Sequence, residues 1–600
     1  MSTIVSTRLR TMVDVLRDHA DARPDKLAYA FLPEQASDPL QQLDYQGLVQ
    51  SSARIAAGLD RWFAAHVDAP RMALLLFPAG LDFLQAFWGC LNGRVIAIPA
   101  AMPRPGRAGT VLEALIANAG VRLVLTDEAS LPTVRRILDS APALAGLDTL
   151  TIDEVAADGE GRTTTIVPRE DDIAFLQYTS GSTSTPKGVV VRHRNLLANE
   201  KMITAGMRLD RESTMVIWVP HYHDMGLIGG MLQPIHTGAG CYMLAPTTFL
   251  KRPIRWLKAI SDYGGVIGGG PDFGYRLCIE RIGPEQAAEL DLSSWRVAFT
   301  GAEPVRAATL TSFSERFAVS QFQGAAFHPC YGMAEVTLLS NCAGPDAMVQ
   351  AISPAGLAAG RAEAPRAGEI PAYMVCAGGP ILEARIAIVD PTTLRRCPDG
   401  VVGEIWHAGP HVADGYFNDT ERTDVAFGAA IAGEDGAGSW LRSGDLGYVV
   451  DGGLYITGRL KEMMIVNGRN LYPHDIQDAL RGRLSEIRDS AVFAVPEGNG
   501  AERIVAILEL AASHRRLILQ SGEENEHALH EIARTARMIC AQDCELPLDH
   551  VRIALPGAVM KTTSGKTRYG DLRAWFAAQP DDVRAAAMSV ETDRFQREDA

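Results

Sequence analysis

The stretch Tyr178-Thr179-Ser180-Gly181-Ser182-Thr183-Ser184-Thr185-Pro186-Lys187-Gly188 lies between two apolar runs, residues 173–176 and 189–191. The apolar runs predict two strands, so the stretch between them is predicted to be a loop. Its hydroxyl groups, glycines and single lysine are typical of loops that bind a polyphosphate. The order Pro-Lys-Gly differs from the Walker pattern, in which Gly-Lys precedes Ser or Thr. The stretch therefore predicts a nucleotide triphosphate site of another class, the alternative being a polar surface loop.

The composition is that of a globular protein with several structural units. The chain has 600 residues, of which 47% are hydrophobic and 22% charged, enough to bury more than one core. A formal net charge of -15 argues against nucleic acid or an anionic membrane as a general partner. No apolar run approaches the length of a membrane span, and residues 1–8 lack the order of a signal peptide. We expect a cytoplasmic protein with no integral membrane contact.

The nine cysteines are scattered between Cys90 and Cys544. Cys540 and Cys544 have a helical spacing, but no histidine or second cysteine pair completes a metal-binding pattern around them. The pattern favours reduced structural thiols over a metal site.

The apolar pattern predicts layered α/β structure followed by a β-rich unit. Residues 71–77 and 95–98 are extended runs on either side of the helical stretch 81–93, and this alternation continues along the first half of the chain. Between residues 385 and 448 the segments become shorter and alternate, which predicts a β-rich subdomain. After residue 461 helices and strands alternate again in a smaller unit.

Further motifs follow the loop along the chain, and together they cover most of it. They are Thr300-Gly301-Ala302-Glu303-Pro304, Tyr331-Gly332-Met333-Ala334-Glu335, Ser443-Gly444-Asp445-Leu446-Gly447, Gly458-Arg459-Leu460-Lys461-Glu462 and Lys561-Thr562-Thr563-Ser564-Gly565-Lys566.

In this order the motifs resemble those of the adenylate-forming superfamily of acyl-CoA synthetases, luciferases and peptide-synthetase adenylation domains. The resemblance implies a large N-terminal domain, residues 1–460, of layered α/β subdomains with a β-rich, distorted-barrel subdomain. It also implies a small mobile α+β lid domain, residues 461–576, with its hinge at Lys461. The remaining residues, 577–600, would form a polar tail.

The resemblance implies ATP and Mg²⁺ as cofactors. The loop residues Thr179, Ser180, Gly181, Ser182, Thr183 and Lys187 would surround the phosphates, and Glu335 would hold Mg²⁺, a role that suits a carboxylate. The nucleoside would contact Gly301, Ala302, Glu303, Tyr331, Gly332, Met333, Asp445 and Arg459, with the ring of Tyr331 stacked on adenine and the last two residues on the ribose hydroxyls.

The catalytic residues implied by the resemblance are Lys566, His223 and Glu335. Lys566 would bridge the substrate carboxylate and the α-phosphate, with Lys561 as a supporting neighbour. The acyl pocket would contain His223 as its aromatic gate, with Met225, Gly226 and Gly230 on the following helix; the alternative is a packed core histidine. Most relatives carry threonine where this chain has Ala334, which leaves Thr337 as a candidate for the missing hydroxyl.

Three features resemble the fatty acyl-AMP ligases more than the acyl-CoA synthetases. They are Tyr222-His223-Asp224-Met225-Gly226-Leu227-Ile228-Gly229, Asn467-Gly468-Arg469-Asn470-Leu471-Tyr472-Pro473 and an extra stretch at about residues 344–379. In that family the insertion packs against the lid and hinders use of free CoA; the alternative is a tolerated surface insertion.

The predicted reaction converts a fatty acid and MgATP to acyl-adenylate and pyrophosphate, and then loads an acyl carrier protein or the carrier domain of a polyketide or peptide synthase. The first alternative is a long-chain fatty acyl-CoA synthetase. An amino-acid adenylation domain, with Asp224 pairing the amino group, and a catalytically silent nucleotide-binding relative also remain open. The residues do not indicate the chain length of the acid.

Overall fold

The computed structural model describes residues 10–35, 38–102, 109–141, 144, 146–179, 186–345, 349–434, 439–466, 469–496, 502–520, 522–561 and 566–577. The strands are β1 (Leu27–Leu32), β2 (Gln41–Asp44), β3 (Met72–Leu76), β4 (Ile96–Ala100), β5 (Leu123–Thr126), β6 (Asp148–Thr151), β7 (Ile173–Thr179), β8 (Lys187–Arg192), β9 (Met215–Ile217), β10 (Cys241–Leu244), β11 (Ile267–Gly270), β12 (Val297–Thr300), β13 (Phe327–Gly332), β14 (Leu339–Cys342), β15 (Val349–Ile352), β16 (Ala372–Val375), β17 (Arg385–Val389), β18 (Gly403–Ala408), β19 (Leu441–Val450), β20 (Gly453–Arg459), β21 (Met464–Val466), β22 (Arg469–Leu471), β23 (Ile487–Pro496), β24 (Glu502–Leu510) and β25 (His550–Ala554).

The chain also forms α-helices, several of which pack on the faces of the sheets. They are α1 (Met12–Ala22), α2 (Tyr45–Ala65), α3 (Leu81–Asn92), α4 (Gly109–Ala119), α5 (Leu131–Asp139), α6 (Ile152–Asp158), α7 (His193–Gly206), α8 (Gln233–Thr237), α9 (Pro246–Lys251), α10 (Ile254–Tyr263), α11 (Asp272–Arg281), α12 (Pro284–Ala288), α13 (Ala307–Phe317), α14 (Pro354–Ala358), α15 (Thr420–Phe427), α16 (Pro473–Arg483), α17 (Arg516–Leu519), α18 (Glu523–Asp543) and α19 (Tyr569–Ala577).

A six-stranded sheet has the order β6-β5-β3-β4-β7-β8. Its inner strands are parallel and are continuous apolar runs because helices cover both faces. β7 and β8 pair in antiparallel fashion with Thr179 opposite Lys187. The two strands predicted around the opening stretch are therefore confirmed, while Ser180, Gly181, Ser182 and Thr183 lie outside the described residues.

An eight-stranded sheet has the order β14-β13-β12-β11-β9-β10-β1-β2, with an antiparallel strand at each edge of a parallel centre. One large apolar core joins it to the six-stranded sheet through α2 and α3. Trp88 on α3 is fully buried there and donates from Nε1 to the hydroxyl of Tyr29 on β1, at 3.2 Å. The two sheets thus share one core and form a rigid base for a cleft.

The predicted β-rich unit is an antiparallel sheet, β17-β18-β19-β20. Within the described residues no ladder joins β17 to β20, so the sheet is open and not a closed barrel. The predicted insertion forms the hairpin β15–β16 with α14 between its strands. Ile352 and Leu357 of this hairpin pack on Tyr448 and Tyr455 of the β-rich sheet, which fixes the insertion to that sheet.

Residues after about 464 build a unit with cores of its own. The three-stranded sheet β23-β24-β25 is covered by α16 and α18 on one face and by α19 on the other. Both apolar cores consist wholly of residues 464–576. Within the described part of the chain, no helix combines the length and apolar character that crossing a membrane requires. The nine cysteines are free thiols.

Candidate functional site

A cleft of about 1080 Å³ lies between the two large sheets, the β-rich sheet and the lid unit. Most of the predicted site residues lie on its walls although they are far apart in the sequence. They are Thr179, Lys187, His223, Met225, Gly301, Ala302, Tyr331, Gly332, Met333, Glu335, Asp445, Arg459, Lys461 and Lys566.

Lys187 and Glu335 meet at one end of the cleft through Tyr416. The Lys187 ammonium lies 4.8 Å from the centre of the Tyr416 ring, a favourable cation–π distance. The Tyr416 hydroxyl donates to Glu335 Oε1 at 2.8 Å. Burial lowers the pKa of Lys187, against the nearby charge of Glu335, which raises it. A cation and a carboxylate are thus held side by side beside the end of the β7–β8 hairpin, an arrangement suited to phosphates and their metal ion.

Asp445 and Arg459 form an ion pair at another part of the cleft. They stand opposite each other on the antiparallel strands β19 and β20, and Arg459 Nε lies 3.0 Å from Asp445 Oδ1. The charge of Asp445 raises the pKa of Arg459, in spite of burial. The Tyr331 hydroxyl donates to Asp445 Oδ2 at 2.8 Å. The pair offers an acceptor and a donor side by side, which suits a vicinal diol.

The segment after β12 contributes backbone atoms to the cleft. The side chain of Glu303, which was predicted to lie beside the nucleoside, points away from the cleft. Ala302 has φ of +66°, a conformation that few residues other than glycine adopt. Glu303 Oε1 accepts a hydrogen bond from the backbone N–H of Phe273 at 2.6 Å, at the start of α11. Glu303 does not line the cleft, and its carboxylate holds the segment against α11.

Lys566 brings the lid unit into the cleft. Part of its side chain is exposed, but the surrounding protein groups desolvate the ammonium. Burial and the charge of Arg459 lower the pKa of Lys566, against Asp224, Asp445 and Glu335, which raise it. Its neighbour Lys561 also lines the cleft and forms an ion pair with Asp489 of the lid. The C-terminal unit, residues 464–577, therefore covers the cleft in this structure.

His223 and Asp224 stand where the polar part of the cleft meets its apolar arm. His223 Nδ1 lies 3.6 Å from Asp224 Oδ1, and the same oxygen accepts from Met225 N at 2.7 Å. Burial raises the pKa of Asp224, but the hydrogen bond and charge of His223 and the charge of Lys566 outweigh burial and lower it. The Asp224 carboxylate is thus already engaged by His223 and by Met225 N, and it lies in the field of Lys566.

The apolar arm runs along a π-helix, Met225–Leu232, a form that recurs at functional sites. Met225 and Gly229 face the arm. A Cβ at Gly226 would lie 2.1 Å from Pro220 O, and one at Gly230 would lie 2.9 Å from Ile217 Cγ1. The prediction of Gly226 and Gly230 as pocket lining is therefore wrong, because both glycines permit close packing behind the helix.

Thr337 does not supply the missing hydroxyl. Its side chain is fully buried and donates from Oγ1 to the carbonyl oxygen of His411 at 2.7 Å. The prediction that Thr337 contacts phosphate is wrong, since its hydroxyl is committed to the loop after β18.

Sequence reasoning missed Tyr416 and Gly229. Tyr416 belongs to none of the motifs named in the sequence analysis, and the fold brings it from the loop after β18 to Lys187 and Glu335. Gly229 lies in the motif at residues 222–229, but the pitch of the π-helix determines which glycine faces the arm.

The chain is similar to known proteins that share a family. Residues 16–417 match the AMP-binding enzyme family. The chain is also 36% identical over 591 residues to the medium-chain fatty acid–[acyl-carrier-protein] ligase of Moorena producens (strain JHB), covering 97% of each protein. The chain belongs to the AMP-binding enzyme family.

Other AMP-binding enzymes match the chain along most of its length. The long-chain fatty acid–AMP ligase of Mycobacterium tuberculosis (strain CDC 1551 / Oshkosh) is 32% identical over 572 residues, which is 92% of this chain and 94% of that protein. A solved structure from a study of fatty acyl-adenylate ligases from E. coli and L. pneumophila is 30% identical with a TM-score of 0.82, covering 95% and 98% of the two chains.

A fatty acyl-adenylate ligase from L. pneumophila, solved with acyl adenylate and pyrophosphate, is 32% identical with a TM-score of 0.71, covering 96% and 97%. These likenesses confirm the predicted superfamily, the α/β fold class and the assignment of the chain as an enzyme. Enzymes that form adenylates use ATP.

Proposed function

We propose that this AMP-binding enzyme activates a fatty acid to acyl-adenylate and passes the acyl group to the thiol of a carrier protein. The observation that carries the proposal is one continuous cleft with two unlike parts. Its polar part contains Lys187, Glu335, the Asp445–Arg459 pair and Lys566, and its apolar arm begins at His223. Fatty acid ligases and acyl-adenylate complexes among the relatives support the same reaction.

The proposed first step joins a carboxylate oxygen of the fatty acid to the α-phosphorus of ATP. The bond from that phosphorus to the bridging oxygen breaks, and pyrophosphate leaves with the electron pair. Both reactants are anions, so cations must hold them together in line. We assign Lys566 to the carboxylate and α-phosphate and Lys187 to the leaving phosphates. Thr179, Ser180, Gly181, Ser182 and Thr183 would add donors around those phosphates.

In the same proposal Tyr331, with Gly301, Ala302, Gly332 and Met333, flanks adenine. Asp445 and Arg459 bind the ribose hydroxyls, a role favoured by their mutual 3.0 Å contact, which pre-aligns an acceptor and a donor. His223 would act as the gate between the carboxylate and the acyl arm, with Met225 and Gly229 on the wall of that arm.

Mg²⁺ fits this site through Glu335. A carboxylate oxygen is a suitable ligand for a hard cation. Within the described residues no group of three or more His, Cys, Asp or Glu side chains forms a metal cage, so phosphate oxygens and water would complete the coordination. When bound, the ion neutralises phosphate charge, while Tyr416 orients the Glu335 carboxylate.

The proposed second step transfers the acyl group to a phosphopantetheine thiol. The sulfur bonds to the acyl carbonyl carbon, AMP leaves with its oxygen, and the thiol proton passes to solvent. We assign this acceptor to an acyl carrier protein, or to a carrier domain of a polyketide or peptide synthase, in place of free CoA. The contact of α14 in the insertion with β22 of the lid supports this choice, because it resists movement of the lid.

We further propose that the domain boundary and hinge lie at Lys461. Residues 1–460 would form the N-terminal domain and 461–576 the lid, in agreement with the separate cores after residue 464. The tail at 577–600 lies outside the described residues. A cytoplasmic location remains a prediction.

Three alternatives predict different products. A long-chain fatty acyl-CoA synthetase would give acyl-CoA. An amino-acid adenylation domain would need a carboxylate for the amino group, but Asp224 is already engaged by His223 and by Met225 N. A silent relative would bind nucleotide without releasing pyrophosphate.

The test is pyrophosphate release by the purified protein with MgATP and a panel of fatty acids and amino acids, with the adenylates identified by mass spectrometry. We expect acyl-AMP from fatty acids only. Adenylates from amino acids alone, or none from any acid, would overturn the proposal.

A further inference from the structure

The segment that flanks the nucleotide part of the cleft also contacts the lid. Gly301 and Ala302 line the cleft, and the same segment continues to Arg306, directly before α13. Arg306 Nε lies 2.5 Å from Oδ2 of Asp478, which is on the lid helix α16. A single short segment therefore contains both the backbone beside the nucleotide part of the cleft and the arginine that contacts the lid.

Carboxylates from both sides surround the Arg306 guanidinium. From the N-terminal side, fully buried Asp272 accepts from the backbone N–H of Arg306 at 3.1 Å and from its Nη1 at 3.3 Å. Glu303 is close enough for its charge to act on Arg306. From the lid, Asp478 and Asp475 face the same group.

The other basic side chains near these carboxylates do not cross between the units. Arg276 pairs with Asp272 within α11 at 3.0 Å. Arg481 lies 3.9 Å from Asp478 and 3.4 Å from Asp489, all within the lid, and His474 pairs with Asp475. Without Arg306, the carboxylates of the lid would face those of Asp272 and Glu303 with like charge. Like charges in a half-buried contact repel more strongly than on an open surface.

We propose that Arg306 and Asp478 form a latch that holds the lid in the adenylate-forming position. Arg306 acts as a positioning residue, since it does not line the cleft but secures the unit that carries Lys566 into it. The latch closes only while the lid lies over the cleft, and a lid that turns about Lys461 must break it. The effect of the latch on catalysis rests on the proposed function; its effect on lid position does not.

The kinetic test uses Asp478→Asn, which removes the charge and keeps the shape of the side chain. We expect the rate of pyrophosphate release to fall by on the order of 10- to 100-fold, the size expected when one partner of a half-buried ion pair is lost. Transfer from preformed acyl-adenylate to a holo-carrier protein should stay unchanged or rise. Asp478→Glu should restore the parent rate of pyrophosphate release.

The matched control is Arg483→Gln on the same helix. Arg483 pairs with Asp543 at 2.8 Å, an ion pair that lies wholly within the lid, so its loss should leave both rates unchanged. Equal losses in both half-reactions for Asp478→Asn, or no loss in either, would overturn the latch.

A second readout needs no substrate. Hydrogen exchange in Asp478→Asn should be faster than in the parent at the backbone amides of α11 and α16, and unchanged in β23 and β24 inside the lid. Unchanged exchange in α11 and α16 would contradict the latch even if the enzyme made no adenylate from any fatty acid. Absence of adenylate from the parent enzyme would instead contradict only the proposed function.

Discussion

Lys566 is the residue on which we expect adenylate formation to depend most. Its ammonium is a cation that the lid contributes to the cleft, near Asp224, Asp445 and Glu335. We predict that Lys566→Ala lowers the rate of acyl-AMP formation by on the order of 100- to 1000-fold, the usual size for loss of a preorganised donor. Binding of ATP, measured by calorimetry, should change little because Lys187 and the Asp445–Arg459 pair remain.

The matched control is Lys258→Ala. Lys258 pairs with Asp262 on the exposed face of α10, away from the cleft, and its loss should leave the rate unchanged. Pyrophosphate release by Lys566→Ala at the parent rate would remove Lys566 from the mechanism.

The pH dependence of adenylation follows from the lowered pKa of Lys566. Burial and Arg459 lower this pKa, so the ammonium loses its proton at a lower pH than an ordinary lysine does, and the rate should fall as the pH rises through that pKa. Lys566→Arg keeps its charge, and its rate should begin to fall only at higher pH. The pKa of Lys187 is also lowered by burial. Deprotonation of Lys187 would therefore account for the fall in rate that remains in Lys566→Arg. Identical pH–rate profiles for parent and Lys566→Arg would contradict this assignment.

At this scale the sequence pointed to several charged residues that line the cleft, among them Lys187, Glu335 and Lys566, because motifs preserve local spacing. The sequence did not predict in which direction each side chain points. Glu303 sits in a matched motif yet turns to Phe273 N, and Thr337 is committed to His411. Tyr416 had no local signal, since its contacts with Lys187 and Glu335 are made only by tertiary folding.

The π-helix Met225–Leu232 is the element that shapes the acyl arm. Gly229 is a point of close approach across the arm, because a Cβ there would lie 3.0 Å from Leu338 Cδ2, and Leu338 also lines the cleft. We predict that Gly229→Ala and then Gly229→Val progressively lower kcat/KM for longer acids relative to shorter ones, by about 10-fold or more for Val.

The measurement is kcat/KM across a series of saturated acids, with the KM for ATP as an internal control that should not change. An equal loss for all chain lengths would mean that Gly229 supports the fold and not the arm.

Strands and helices at this scale were well predicted where the pattern was strong. The apolar runs at 71–77 and 95–98 became β3 and β4, and the helical stretch at 81–93 became α3. The π-helix was not predictable, since a glycine-rich apolar segment carries no signal that separates one helical pitch from another. Gly226 and Gly230 were wrongly predicted to line the pocket because the pitch of the helix determines which glycines face it.

For the whole molecule, the insertion is predicted to decide between the two thiol acceptors. Val349 and Val375 are paired across the hairpin, so a short glycine linker can join them and remove residues 350–374. If α14 restrains the lid through β22, the shortened enzyme should gain acyl-CoA synthesis while it keeps acyl-AMP formation.

A folding control is needed because removal of Ile352 and Leu357 uncovers the apolar surfaces of Tyr448 and Tyr455 on which they pack. Retained acyl-AMP formation serves as that control. A variant that forms acyl-AMP but no acyl-CoA would show that the insertion is not what excludes CoA.

The order of the units was predictable from the sequence, but their arrangement was not. The strand order of the two large sheets and the position of the lid over the cleft depend on contacts between distant segments, such as Arg306 with Asp478. No periodicity or motif spacing records such a contact, which is why the latch emerged only from the structure.

In the proposed reaction a fatty acid leaves this enzyme on a carrier thiol. The most direct measurement is a competition in which the protein receives MgATP, a fatty acid, excess CoA and a holo-carrier protein, with all products read by mass spectrometry. We predict acyl-AMP and acylated carrier protein with little acyl-CoA. Abundant acyl-CoA with an unmodified carrier protein would contradict it.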